Sequence, residues 1–178
     1  VALRLQHEGR FTEYTTIKIG FRDVAYSDRG ITINGRPLEI RAVDYVCPTD
    51  ENTLRKELAD LRKLGVNLLR VEPHPQRKAF YDLCDLYGFY VCDQANLDSR
   101  LSGEELQIGG TPANDTLWAK AYADRVMEMY YASKNHPSVI MFSLGGRAGK
   151  GYNMYEAYLK LKELETERPV IYQSAGAQ

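Results

Sequence analysis

The sequence predicts an α/β protein: about five parallel strands alternating with helices, preceded by a short antiparallel β segment. Three observations carry this. Beyond residue 38, short apolar runs such as Val66–Val71 and Val139–Phe142 alternate with longer stretches whose apolar residues recur every three or four positions. Glycines at 65 and 88 stand where those longer stretches stop and the next apolar run begins. Before residue 38, β-branched and aromatic residues alternate with polar ones around Gly-containing turns.

Each element follows in order. Leu3 to Arg22 reads as two strands about a Glu8-Gly9-Arg10 turn, a half-buried antiparallel pair. Asp23 to Gly30 reads as a junction. Gly30 to Val43 is a hairpin with an Asn34-Gly35 turn whose second arm continues, over Leu38–Val43, into the first parallel strand. Asn52 to Leu64 places Leu54, Leu58, Leu61 and Leu64 on one helical face, with Gly65 as the stop. Val66–Val71 is the second strand, and this strand-helix-strand order implies a right-handed crossover. Arg77–Tyr87 is an amphipathic helix ended by Gly88, and the third strand follows. Ser102–Pro112 is a loop, Asp115–Ser133 a helix, Gly151–Glu165 another, and Arg168–Tyr172 a fifth strand. The fourth strand, Val139–Phe142, has a turn-prone entry and the glycine-rich exit Gly145-Gly146-Arg147. In parallel α/β folds such exits form the ligand face.

Composition narrows the function classes. The 178 residues are 44% hydrophobic, enough for a real core, and carry 23 basic against 24 acidic residues without a charged block. Neither nucleic acid nor a membrane surface is expected as a partner. No signal peptide is visible, and the start at Val1 looks like a cut, which leaves localisation open. Cys47, Cys84 and Cys92 have no Cys-x-x-Cys spacing, which argues against a disulfide framework or zinc knuckle, and Cys84 and Cys92 read as core residues. The run Gly145 to Gly151 lacks the spacing of a phosphate loop.

Several motifs carry a family resemblance. Asn135-His136-Pro137-Ser138-Val139-Ile140, then an aromatic residue at Phe142 and Ser143-Leu144-Gly145, resembles the fourth barrel strand of glycoside hydrolase family 2, the β-galactosidase and β-glucuronidase family. Tyr81-Asp82-Leu83-Cys84-Asp85, Tyr87-Gly88 and Tyr90-Val91 resemble the family's helix and third strand, and Asp93-Gln94-Ala95-Asn96-Leu97-Asp98-Ser99-Arg100 resembles Asp-Glu-Ala-Asn-Ile-Glu-Thr-His. Ile19-Gly20-Phe21-Arg22 resembles the end of the immunoglobulin-like domain before the barrel. The resemblance covers nearly the whole chain. It implies that residues 1–24 close an immunoglobulin-like sandwich and that residues 25–178 are the N-terminal part of a TIM (β/α)8 barrel, with the Asn-Gly hairpin capping the barrel bottom.

The same resemblance implies a sugar site and its damage. Arg70, Asp44, Glu72, His74, Gln94, Asn96, Gly146 and Arg147 fall at or beside the family's substrate-facing positions. Gly146 replaces an asparagine that contacts sugar, and Arg147 stands at the catalytic acid/base glutamate. A histidine of the second-strand motif has become Pro73, with His74 displaced by one place. A retaining glycosidase needs two carboxyls about 5–5.5 Å apart, and a guanidinium cannot cycle a proton at neutral pH. The family's nucleophile belongs to a later strand, outside this sequence. Of the family's magnesium ligands Asp98 remains as a carboxylate, while Arg100 replaces a histidine, so no cofactor is expected. Glu72 is the expected ion-pair partner of Arg147, and Asp44, Asp93 and Asp98 are further carboxylates expected on the same face. The resulting expectation is a β-galactosidase-like fragment that is inactive by itself. The alternatives are a carbohydrate-binding or scaffolding pseudoenzyme, and an ordinary enzyme altered at Gly146 and Arg147. A carbohydrate ligand, an acidic one through Arg147, and self-association through open sheet edges are the expected partners.

Overall fold

A computed structural model describes residues 1–99, 111–146 and 148–172. Among the described residues, ten strands and four α-helices follow one another: β1 (Ala2–His7), β2 (Arg10–Thr16), β3 (Val24–Ser27), β4 (Gly30–Ile33), β5 (Arg36–Pro37), β6 (Ala42–Tyr45), α1 (Glu51–Lys63), β7 (Leu68–Val71), α2 (Lys78–Tyr87), β8 (Tyr90–Gln94), α3 (Ala119–Ser133), β9 (Val139–Ser143), α4 (Tyr152–Lys162) and β10 (Val170–Ile171). Strands β6 to β10 form one sheet in the order β10-β9-β8-β7-β6, with every neighbour parallel. Sequential order with a helix after each of the first four strands is the arc of a (β/α)8 barrel. Among the described residues, β6 and β10 each have a strand neighbour on one side only.

The N-terminal elements depart from expectation in three places. β1 and β2 pair antiparallel as expected, but every residue of both is exposed rather than half-buried, because nothing described packs on either face of the hairpin. The presumed junction holds β3, which joins β4 and β5 in a three-stranded antiparallel sheet. The first parallel strand is Ala42–Tyr45, not Leu38–Val43. Leu38 still bonds back to the hairpin, its N–H donating to Ile31 O at 2.9 Å, while Asn67 takes over at Arg41: its Oδ1 accepts from Arg41 N–H at 2.8 Å. The hairpin turn itself is as read, with Asn34 and Gly35 at φ 51° and 74°, the paired left-handed conformation of a type I′ turn.

Two cores lie on opposite faces of the parallel sheet. On the inner face, Leu68, Cys92, Ile140 and Met141 pack with Val24, Ile31, Ile33 and Leu38, so the small antiparallel sheet plugs the open arc from below. Ile140 and Met141 both reach this core because β9 carries an extra residue opposite β8: Val91 registers with Val139 but Cys92 with Met141. On the outer face Leu69, Val71, Val91, Val139 and Phe142 meet the helices through Leu54, Leu58, Phe80, Val126 and Leu161. Each such side chain, fully buried, contributes about 1.5–3 kcal/mol.

Helix ends follow local chemistry. Asp50 caps α1, accepting from Thr53 N–H at 2.7 Å, and hydrogen bonds from Thr53 hold its carboxyl below the usual range. Leu64 falls beyond the last helical turn and is exposed, so the expected four-leucine stripe ends at Leu61. Gly88 stops α2 in the left-handed conformation, its N–H donating to Cys84 O. The helix expected from Asp115 begins instead as a single 3-10 turn, Thr116–Trp118, where Leu117 faces solvent. None of the described helices is long and apolar enough to cross a membrane.

Several polar groups inside this framework are tied by hydrogen bonds. Arg168 is buried; its Nε donates to Glu165 Oε2 at 2.8 Å, its Nη1 to Lys134 O and Val139 O, and its guanidinium lies 4.5 Å from the Phe142 ring centre. Arg22 donates to Val139 O as well. Burial first, then the nearby Arg168, lowers the Arg22 pKa to about 10. At the start of β9, Asp85 accepts from Ser138 N–H at 2.9 Å and meets His136 Nδ1 at 2.7 Å. Burial would raise the Asp85 pKa, but these hydrogen bonds overrule it and hold the group charged. His136 thus braces the end of the strands away from their exits. Its ring stacks on Tyr81, whose hydroxyl donates to Asp93 Oδ2 at 2.9 Å.

Asp93 corrects another expectation. Strand alternation turns it outward into the helix layer rather than towards the ligand face, and only 1% of it is exposed. Burial lifts its pKa to about 6, against hydrogen bonds that pull it down. A folded pKa above the ordinary 3.8 means that the folded state holds this proton more tightly than the unfolded chain. The contribution to stability is therefore full below about pH 4 and is lost as pH rises through about 6. Asp85 and Glu165, held below the usual range, act oppositely and lose theirs on acidification.

Two outcomes are expected in urea titrations. Between pH 4 and 6, Asp93→Asn removes a decline in stability on the order of 3 kcal/mol; wild-type and variant curves that stay parallel across that range would contradict the assignment. Gly20→Ala places a methyl 2.6 Å from Pro137 Cγ, where the segment after β2 presses on the turn before β9. It is expected to cost about 1–3 kcal/mol, and an unchanged midpoint would show that this contact carries no weight.

Candidate functional site

The exits of β6 to β9 gather at one end of the sheet, and each inward side chain there is set by register and alternation. Asp44 on β6 and Arg70 on β7 are direct register partners. Their side chains form a two-pronged ion pair, Nε to Oδ1 at 2.6 Å and Nη2 to Oδ2 at 2.8 Å. The hydrogen bonding to Asp44 raises the Arg70 pKa further. Asp44 thus lies within its strand, not after it. The pair is partly open to solvent, with side-chain exposures of 36% for Arg70 and 62% for Asp44, so a ligand can compete for its hydrogen bonds.

Arg70 also registers with Cys92, and Cys92 with Met141, so charge and apolar surface share one layer of the arc. Burial pushes the Cys92 thiol up to about 12, which keeps it protonated and inert. Cys84 is raised in the same way, and Cys47, whose thiol donates to Pro48 O, is raised by burial too. The three free thiols therefore have no nucleophilic part here.

One layer higher, Gln94 registers with Ser143. The exits of β8 and β9 are laced together: Ala95 N–H donates to Ser143 O at 2.9 Å and Gly146 N–H to Leu97 O at 3.1 Å. Gly145 has φ 149°, and a Cβ there would stand 2.8 Å from Leu97 Cβ and 2.9 Å from Leu97 O, so glycine is required. Gly146 is packed differently. A Cβ at this position would lie 3.2 Å from Gln94 Nε2 and 3.3 Å from Pro73 Cγ. Three positions of the β7, β8 and β9 exits, Pro73, Gln94 and Gly146, therefore meet, and the first was not among the residues read as substrate-facing. Its signal was available: it stands where the resembling motif has histidine.

His74, Gln94 and Asn96 line a second space, a cleft of about 290 Å³ reaching outward to Tyr81 and Asp93 and bounded by Arg125, Glu128 and Met129 of α3. His74 and Asn96 thus share a wall with Gln94 but stand apart from the Asp44–Arg70 pair. Gln76 Nε2 donates to His74 O at 2.9 Å and fixes the turn. Glu72 is exposed beside the sheet, its N–H donating to Tyr45 O at 3.1 Å. Its expected partner Arg147 lies outside the described residues, as do Arg100 and most of the loop 102–112. Asp98 is exposed.

Chemically, this end of the sheet offers a forked cation with its carboxylate, a half-hidden amide and a small-residue gap. These are groups that hydrogen-bond hydroxyls. Asp44 is a carboxylate of this face, and Arg70 holds it.

Comparison with known proteins places this arrangement. The profile of the family "Glycosyl hydrolases family 2, TIM barrel domain" matches residues 24–178. A β-galactosidase of Photobacterium profundum is 34% identical over 186 residues, covering 97% of this chain and 17% of its own length. One from Pectobacterium atrosepticum is 33% identical over 177 residues, again 17% of its length. The chain thus spans about a sixth of the curated relatives it matches. Among solved structures, a β-glucuronidase of Parabacteroides merdae superposes with TM-score 0.77 at 21% identity, over 96% of this chain and 23% of that one. A β-glucuronidase from Ruminococcus gnavus, solved with uronic deoxynojirimycin, gives 0.75 at 20% identity, over 94% and 30%. With its sheet order, its plugged arc and this match over most of its length, the chain belongs to glycoside hydrolase family 2, in the TIM-barrel domain.

Proposed function

We propose that this chain is the sugar-facing first part of a β-galactosidase-like family 2 barrel and that it does not hydrolyse glycosides by itself. The observation that carries the proposal is the packing of Gly146 against Gln94 and Pro73, with an arginine next in sequence. Where an acid/base carboxyl would be needed, the sequence supplies a group that stays protonated at any physiological pH. The paired carboxyls of a retaining mechanism are thereby lost at their first member. Residues 1–24 are assigned to an immunoglobulin-like neighbour and residues 25–178 to the barrel.

The Asp44–Arg70 pair favours a second reading, retention of the barrel for carbohydrate binding or scaffolding. A two-pronged pair that is partly solvent-exposed offers polar groups for which sugar hydroxyls can compete. Arg147 adds a preference for an acidic sugar. Among the described residues β6 and β10 each leave one edge unpaired, which makes a second copy of the chain the natural partner in solution.

Titration calorimetry with methyl β-galactoside and methyl β-glucuronide tests the binding half of this proposal. Saturable binding is expected for both, weakened at least tenfold by Arg70→Ala, with Arg147→Ala weakening only the glucuronide. Absence of binding, or indifference to Arg70→Ala, would refute it.

A further inference from the structure

Behind the sugar face, the turn that follows β7 stands off α3 and leaves a cleft of about 290 Å³. We propose that this cleft binds a small zwitterion of the α-amino acid class with an apolar side chain.

Charges of both signs stand on it without meeting each other. Arg125 and Glu128, three residues apart on α3, both line the cleft, yet no ion pair joins them. At that spacing side chains are neighbours on a helix, and opposite charges ordinarily close. They do so nearby: Lys63 meets Asp60 at 2.8 Å on α1, and Lys120 pairs with Asp124 on α3 itself. Arg125 is half-buried, and the hydrogen bond its guanidinium makes among the described residues is a long one, Nη1 to Ala121 O at 3.5 Å. A ligand carboxylate against the Arg125 fork, with an ammonium beside Glu128, answers both charges at once.

A second, independent observation is Gln94, the wall between the cleft and the gap at Gly146. It is 8% exposed, and among the described residues neither end of its side-chain amide has a hydrogen-bond partner. A buried amide in that state is costly, and a bound polar group relieves it by supplying the missing donor or acceptor. Asp93 does not compete for that role. Its oxygens already accept from the Tyr81 hydroxyl at 2.9 Å and the Gln94 N–H at 3.1 Å, so it closes the floor and leaves the ammonium to Glu128. Met129 and the Tyr81 ring, both buried, supply the apolar lining against which an aliphatic side chain escapes water. The volume falls just below the range of about 300–1,000 Å³ common for ligand pockets, which suits a molecule of amino-acid size rather than an oligosaccharide.

Titration calorimetry of the full 178-residue chain with L-leucine, isovalerate and isoamylamine tests the site. The three share one branched apolar body and carry both charges, the carboxylate alone or the ammonium alone. One L-leucine per chain is expected, with isovalerate and isoamylamine each about tenfold weaker or more. Arg125→Gln, a change at the helix surface, and Gln94→Met, which keeps the length of the side chain, should each weaken L-leucine about tenfold. Circular dichroism of both variants checks that the fold is kept. Failure of L-leucine to bind, isovalerate or isoamylamine binding as tightly as L-leucine, or equal affinity in Arg125→Gln and its parent would overturn the site. No sugar enters the experiment, so each of these results leaves the reading of the sugar face standing.

Discussion

The hydrogen bonds that Asp85 makes across the chain set the position of β9, and much of the rest depends on that strand. A carboxylate near the end of α2 accepts the Ser138 N–H and holds His136, so the turn before β9 is tied to the helix before β8. From this fixed point the strand runs five residues to Ser143. Its exit, Gly145 and Gly146, is then laced to the exit of β8. The Tyr81 ring under His136 and the Tyr81–Asp93 hydrogen bond extend the same tie into β8. Removing one partner from such a half-buried network leaves the other unsatisfied, which is why these positions cost more than their hydrogen bonds alone.

With strand positions held in this way, the ligand face can change chemistry without changing shape. The β7, β8 and β9 exits present Pro73, Gln94 and Gly146, a ring, an amide and a gap in mutual contact. A side chain at 146 would press on both the proline and the amide, so the three positions are linked through packing. Arg70 and Asp44 lie a layer deeper and keep a polar floor. Family membership rests on buried strands and helix caps, whereas the chemistry of the ligand face rests on a few exit residues.

How far the sequence could be read follows from what each residue answers to. Glycines and leucine spacing located α1, α2 and the parallel strands because caps and periodicity are local properties, and Gly65 and Gly88 do sit at φ 82° and 75°. Val24–Ser27 was missed as a strand because its pairing with β4 and its place on the inner core are tertiary facts. The hairpin Ala2–Thr16 has the alternation of a half-buried pair, yet burial requires a partner that alternation cannot supply. Asp93 was placed on the wrong face because its neighbour Gln94 points inward, and a one-residue difference reverses the side of a strand. The Asp44–Arg70 pair was legible only as two separate residues. Its fork depends on the register between β6 and β7, which no local pattern encodes.

Initial-rate hydrolysis of nitrophenyl β-galactoside by the chain and by its Gly146→Asn/Arg147→Glu form, with Pro73→His added in a third variant, tests the central claim most directly. The account predicts no turnover above background from the unmodified chain and none from the double variant, in which Pro73 still stands where the resembling motif has histidine. Turnover by the unmodified chain, abolished by Asp44→Asn, would contradict it and make Asp44 a catalytic carboxylate that Arg70 had been holding in reserve.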